Sequence, residues 1–125
     1  MRLTKSTLAL ALFLPLLARA APPASVQEEV GHLLGYIARS GCEFFRNGVW
    51  ASATVAQGHV QSKYEYLLRQ DKIATAKDFI DKAASESSLS GLPYQVRCGQ
   101  RSPVPSRAWL SEELARYQSR PLSAR

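Results

Sequence analysis

Apolar residues recur at helical spacing in four stretches of this chain and alternate in shorter runs between them. Val26, Val30, Leu33, Leu34 and Ile37 predict an amphipathic helix over residues 26–39, stopped by Ser40-Gly41. Ser25 and Glu28 have the spacing of a capping box at its start. Gly31 and Gly35, one turn apart, are expected to let a neighbouring element pack closely. From Ser52 to about Gln70 the helical period returns. Val55, Ala56, Val60, Tyr64, Leu67 and Leu68 share a face there, with His59, Lys63 and Tyr66 at its edge. Thr75-Ala76-Lys77-Asp78 opens a third helix with an N-cap and a first-turn acid, and Phe79, Ile80 and Ala83 form its apolar face. Pro103-Val104-Pro105 leads into a fourth helix, with Ser106 as N-cap and Trp109, Leu110, Leu114 and Tyr117 inward.

Two strands are expected around Asn47-Gly48, because both turn positions tolerate the positive φ that a tight hairpin needs. They are Cys42–Arg46 and Val49-Trp50. Tyr94–Cys98 alternates and reads as a third strand, with Tyr94, Val96 and Cys98 on one side. Before it, Ser85–Pro93 is polar and breaks regular structure. The fold class is α+β: about four helices packed on a small, two- to three-stranded antiparallel sheet.

The N-terminus changes the picture of where this domain works. Arg2 and Lys5 precede an apolar run from Leu8 to Leu17, and Ala18-Arg19-Ala20 puts small residues where a signal peptidase reads. Residues 1–20 are therefore expected to be a cleavable export signal. The run is too short for a permanent span, which needs about 20 residues, so no stable membrane insertion is expected after cleavage. Residues 21–125 then form one α+β domain, with 21–24 as a leader and 119–125 as a frayed tail. The signal holds three of the 16 basic residues (Arg2, Lys5 and Arg19) and none of the ten acidic ones, so the net charge falls from +6 to +3. Such mild basicity in an exported chain argues against a nucleic-acid partner. Cys42 and Cys98, the only cysteines, are expected to pair in an oxidising compartment. Closing so long a loop contributes about 4 kcal/mol in the chain-entropy model.

Candidate chemistry is sparse. There is no catalytic motif or nucleotide loop, no cofactor is implied, and the two histidines, His32 and His59, lack zinc-ligand spacing. Three surfaces remain. Arg46-Asn47-Gly48 is a hairpin tip with Trp50 close by as an aromatic anchor. His59 and Lys63 are neighbours one helical turn apart, and a histidine beside a lysine is a candidate base. Ser85–Tyr94, with Ser88, Ser90, Gly91 and Tyr94, is a loop closed by Pro93 just before the cysteine-bearing strand, and so pre-organised for binding. Arg97, Arg101, Arg107 and Arg116 add positive charge toward the C-terminal third, suited to an anionic envelope polymer or lipid head groups.

The ordered combination of Arg46-Asn47-Gly48, His59-x-x-x-Lys63, Asp78-Phe79-Ile80, Ser88-x-Ser90-Gly91-x-Pro93-Tyr94 and Trp109-Leu110 resembles the YfeK-like family of small exported bacterial proteins, a domain of unknown function. Ser40-Gly41-Cys42 and Val96-Arg97-Cys98 fit the same pattern, and the likeness runs from about residue 25 to 117. It implies a periplasmic address and no activity. The reading that follows is a non-enzymatic periplasmic protein that binds an envelope protein or glycan through the hairpin tip and the Ser-rich loop. Two alternatives stand beside it. One is a small hydrolase using His59 with a serine or Glu43. The other is a lysozyme-inhibitor-like protein using Ser90–Tyr94, whose Ser-Gly-x-x-Tyr pattern resembles a loop of some periplasmic inhibitors.

Overall fold

Val30, Leu33 and Ile37 lie along one face of helix α1 (Ala24–Arg39) and are buried almost completely, as their spacing requires. The computed structural model describes residues 2–4, 6, 8–15 and 21–125. Lys5 and the Ala18–Ala20 cleavage motif of the expected signal lie outside these residues. Within the described part, Leu8, Leu10, Leu12, Phe13 and Leu14 are exposed and take no part in the core. No helix among the described residues is long and apolar enough to cross a membrane.

The elements follow in the order α1, β1 (Glu43–Arg46), β2 (Val49–Ser52), α2 (Ala53–Arg69), α3 (Ala76–Ala83), β3 (Gln95–Arg97), β4 (Val104–Pro105), α4 (Ser106–Gln118), with a short 3-10 turn at Leu122–Ala124 in an exposed tail. The fold is α+β, four helices on an antiparallel sheet of order β2-β1-β3-β4. The sheet therefore has four strands rather than two or three. The additional strand is Val104-Pro105, preceded by Pro103; the missing N–H groups of the two prolines conceal strand character in a sequence but are tolerated at a sheet edge.

The hairpin turn forms as its residues dictate, with Asn47 at φ 49° and Gly48 at φ 82°. Cys42 and Cys98 are bonded, with Cα atoms 4.4 Å apart. They extend by one pair the register in which Glu43 faces Arg97. The bond thus ties the first strand of the hairpin to β3.

Phe44, Ala51 and Val96 stand in one row on the side of the sheet that the helices cover. Glu43, Phe45, Trp50, Gln95 and Arg97 alternate to the other side. Between sheet and helices, Trp109 of α4 stacks on Tyr36 of α1 at 4.4 Å and meets Phe44 edge-on at 5.6 Å. One turn further along α4, the buried Glu113 accepts from His32 Nε2 at 2.8 Å and from Arg116 Nε at 2.9 Å, joining α1 to α4.

Three helix details depart from the sequence reading. The N-cap of α1 is Pro23, whose carbonyl accepts from Val26 and Gln27, so Ser25 and Glu28 sit inside the helix and form no capping box. Ser106 is likewise the first residue of α4, after Pro105, and caps nothing. Gly31 has open space around it, and a side-chain carbon at Gly35 would meet only Arg39 of the same helix, so neither glycine serves a close approach of a neighbour. The cap of α3 forms as expected, with Thr75 and Asp78 making a complete capping box, and α2 is capped by Ser52, which accepts from Val55 N.

Candidate functional site

The strand register assembles a polar row at one end of the sheet. Arg46 faces Val49 on β2. One step beyond the Phe45–Gln95 pair it stands beside Tyr94, and Tyr94 in turn accepts from Ser106 N at 2.9 Å. Val49, Arg46, Tyr94 and Ser106 thus cross the sheet in sequence on the helix-covered side. Helix α2 passes over this row, and an apolar cavity of about 170 Å³ lies between them. Phe44, Val49 and Ala51 contribute its floor, Val55, Ala56 and Val60 of α2 its roof, and Ile37, Ala84 and Leu110 its inner wall. Four residues in the lining carry polar or charged side-chain groups: Arg46, His59, Tyr94 and Ser106.

Arg46 Nη1 donates to His59 Nε2 at 3.2 Å. A guanidinium has only donors, so Nε2 is the acceptor nitrogen and the proton of the neutral ring is on Nδ1. One turn along α2, Lys63 Nζ donates to the carbonyl of Glu86 at 2.7 Å and lies 5.4 Å from the centre of the Tyr94 ring. Burial pushes the Lys63 amine below its ordinary pKa; the charge of Glu86 opposes this and that of Arg46 reinforces it. Burial pushes the Tyr94 phenol up, against the charge and hydrogen bond of Arg46. Among the described residues, no carboxylate stands within ion-pair distance of Arg46 or Lys63. The ion pairs formed there all lie elsewhere.

The Ser-rich segment is a folded rim. Tyr94 N bonds Ser85 O, Ser87 N bonds Leu92 O, and Gly91, at φ 71°, donates to Ser87 O. The buried Ser87 hydroxyl accepts from the amides of Leu89 and Ser90. Ser90 Oγ then donates to Asn47 Oδ1 at 2.6 Å, fastening the loop to the hairpin tip. Arg46, Asn47, His59, Lys63, Ser90, Gly91 and Tyr94, picked out in the sequence on three separate segments, therefore belong to one neighbourhood. Ser88 is exposed at the loop tip.

Trp50 does not join them. It alternates to the opposite side of the sheet, where Phe45 packs at 5.3 Å and the Arg97 guanidinium lies 4.0 Å from its ring centre. Glu43 is on that side too, paired with Arg97 at 3.1 Å, and does not meet His59. His32 is engaged with Glu113 between α1 and α4. Ser106 lines the cavity, but its buried Oγ has no hydrogen-bond partner, so a serine–histidine contact is not formed. The cavity and Ser106 were missed in the sequence. An alternating strand marks which residues share a face but not how far the covering helix stands from it.

The profile of a family of unknown function, DUF5329, matches residues 24–118, and the chain belongs to that family. The matched unit runs from the first residue of α1 to the last of α4. No curated protein and no solved structure matches the chain.

Proposed function

We propose that this member of a family of unknown function is an exported binding protein, and that it holds a small, largely apolar molecule between the sheet and α2. The hairpin tip and the Ser85–Tyr94 segment form the rim of that site. One observation carries the reading: an apolar cavity of about 170 Å³ with a few convergent polar groups in its lining. A buried apolar cavity of roughly 150 Å³ is enough to admit benzene.

Export is supported by the Cys42–Cys98 bond, by the N-terminal apolar run with its small-residue cleavage motif, and by the YfeK-like order of motifs, which points to the periplasm. Binding without catalysis is supported by the surroundings of His59, whose Nε2 is occupied by Arg46, while Ser106 and Glu43 are not in contact with it.

Methyl NMR of the oxidised protein in toluene-saturated buffer tests the reading. The methyls of Val55, Val60 and Leu110 should shift, and Ala56→Leu, which adds bulk to the roof, should abolish the response. Ala51→Val is the milder companion variant, should Ala56→Leu disturb the fold. Unmoved cavity methyls in the wild-type protein would reject a small-molecule site.

A further inference from the structure

Resting on the cavity reading above, we infer that the bound molecule is a monocarboxylate with an apolar body of about six to eight carbon atoms, its head group held by Arg46 and assisted by Lys63. Three independent features of the site lead there.

The first is positive charge without an ion-pair partner. Arg97, Arg107, Arg116, Lys77 and Lys82 all have carboxylate partners. Arg46 and Lys63 have no carboxylate at ion-pair distance among the described residues; their direct partners are an imidazole nitrogen, a phenol ring and a backbone carbonyl, and the Glu86 charge acts on Lys63 only from farther away. Arg46 lies close enough for its charge to disfavour the protonated amine of Lys63, although the charge of Glu86 acts more strongly the other way. An incoming anion relieves that repulsion and takes up guanidinium donors that His59 leaves free. The planar fork of a single guanidinium matches the two oxygens of a carboxylate.

The second is the lining beyond Arg46, which is aliphatic and aromatic and calls for an apolar body. A head group alone would leave that volume empty. The third is Ser106. Only 3% exposed, it lines the same cavity, and its hydroxyl has no hydrogen-bond partner within the protein. Buried hydroxyls are nearly always satisfied, so this one points to a ligand atom.

Calorimetric titration with octanoate, 1-octanol and octylammonium separates head group from tail, because the three share one chain length. Octanoate should bind about tenfold or more tightly than 1-octanol, the difference a charge-assisted hydrogen bond supplies, and octylammonium should bind most weakly. Arg46→Gln should weaken octanoate by about tenfold or more and 1-octanol far less, removing the advantage of octanoate. Lys63→Gln should reduce it in the same direction, and it carries the test if Arg46→Gln does not fold. Equal binding of octanoate and 1-octanol, or an octanoate preference that survives in folded Arg46→Gln, would overturn the carboxylate assignment and leave the apolar site standing. Binding of none of the three, with cavity methyls also unmoved by toluene, would remove both.

Discussion

Asn47 and Ser90, 43 residues apart in the chain, meet through a 2.6 Å hydrogen bond in which the serine hydroxyl donates to the asparagine side-chain carbonyl. Asn47 has two duties there. Its backbone occupies the left-handed region, at φ 49°, and its side chain holds the rim loop. Asn47→Ala should lose both and cost about 1–2 kcal/mol, mostly from the left-handed backbone. Asn47→Gly should recover most of the stability without the bond. Urea denaturation of the two variants separates the duties, and amide exchange at Leu89–Leu92 should quicken in both. Equal stability of Asn47→Ala and wild type would show that the turn does not depend on this residue.

Ser106 predicts a substitution that stabilises the protein. Its hydroxyl is buried and unpaired, and such a group costs about 1–3 kcal/mol of desolvation that no bond returns. Ser106→Ala should therefore raise the urea midpoint of the ligand-free protein, by an amount corresponding to about 1 kcal/mol. A clear loss of stability would mean that the hydroxyl has a partner after all.

The Cys42–Cys98 bond closes a sequence separation of 56 residues and clamps β3 to the hairpin. Reduction, or the paired Cys42→Ala and Cys98→Ala substitutions, should lower stability by about 4 kcal/mol. Denaturation with and without reductant measures this. A change below about 1 kcal/mol would indicate that the denatured chain is already constrained without the bond.

Glu113 gives the stability a dependence on pH. Burial acts to raise the pKa of its carboxyl, but the hydrogen bonds from His32 and Arg116 outweigh burial and hold it below the ordinary value of 4.5. The folded pKa is thus depressed, and the unfolded chain binds the proton first as pH falls. The stabilisation is complete above the ordinary carboxyl range and is lost as pH drops through the folded pKa. Glu113→Gln should flatten the acid limb of the stability curve and cost about 2 kcal/mol at neutral pH, through loss of charged hydrogen bonds. A pH profile parallel to that of the wild type would reject this role.

Helix α3 has only eight residues and depends on its start. Thr75 Oγ1 accepts from Asp78 N at 3.0 Å, and the Asp78 carboxylate accepts from the amides of Ala74 and Thr75. The backbone bond from Ala74 leads the effects that lower the Asp78 pKa. Thr75→Ala should cost about 1 kcal/mol and Thr75→Ser very little. Thermal melts of the two variants decide it. An equal loss in both would point to the methyl group rather than the cap.

The parts of this architecture written in local chemistry were legible. Periodic apolar positions placed all four helices, Asn47-Gly48 placed the hairpin, and the chain's two cysteines placed the bond that joins it to β3. The parts that failed were decided by competition between neighbouring signals. Pro23 and Pro105 pre-empted the helix starts that Ser25 and Ser106 advertised, and Val104 paired at an edge despite the prolines on either side. The site was half legible. Arg46, His59, Lys63 and Tyr94 are unusual residues on predicted elements, so composition exposed them. Trp50 was grouped with Arg46 by nearness in sequence, whereas strand alternation sends it to the other side of the sheet.

By itself, then, the sequence determined the four helices, three of the four strands, their covalent tie and the residues able to carry charge or hydrogen bonds, because helix period, turn conformation and cysteine pairing act over a few residues or through one bond. Tertiary structure decided that Arg46, Tyr94 and Ser106 share a row, that Lys63 reaches the carbonyl of Glu86, and that the roof of α2 stands off the floor of the sheet to leave a cavity. Those relations depend on register and on the volumes of side chains from distant segments, which no local pattern encodes.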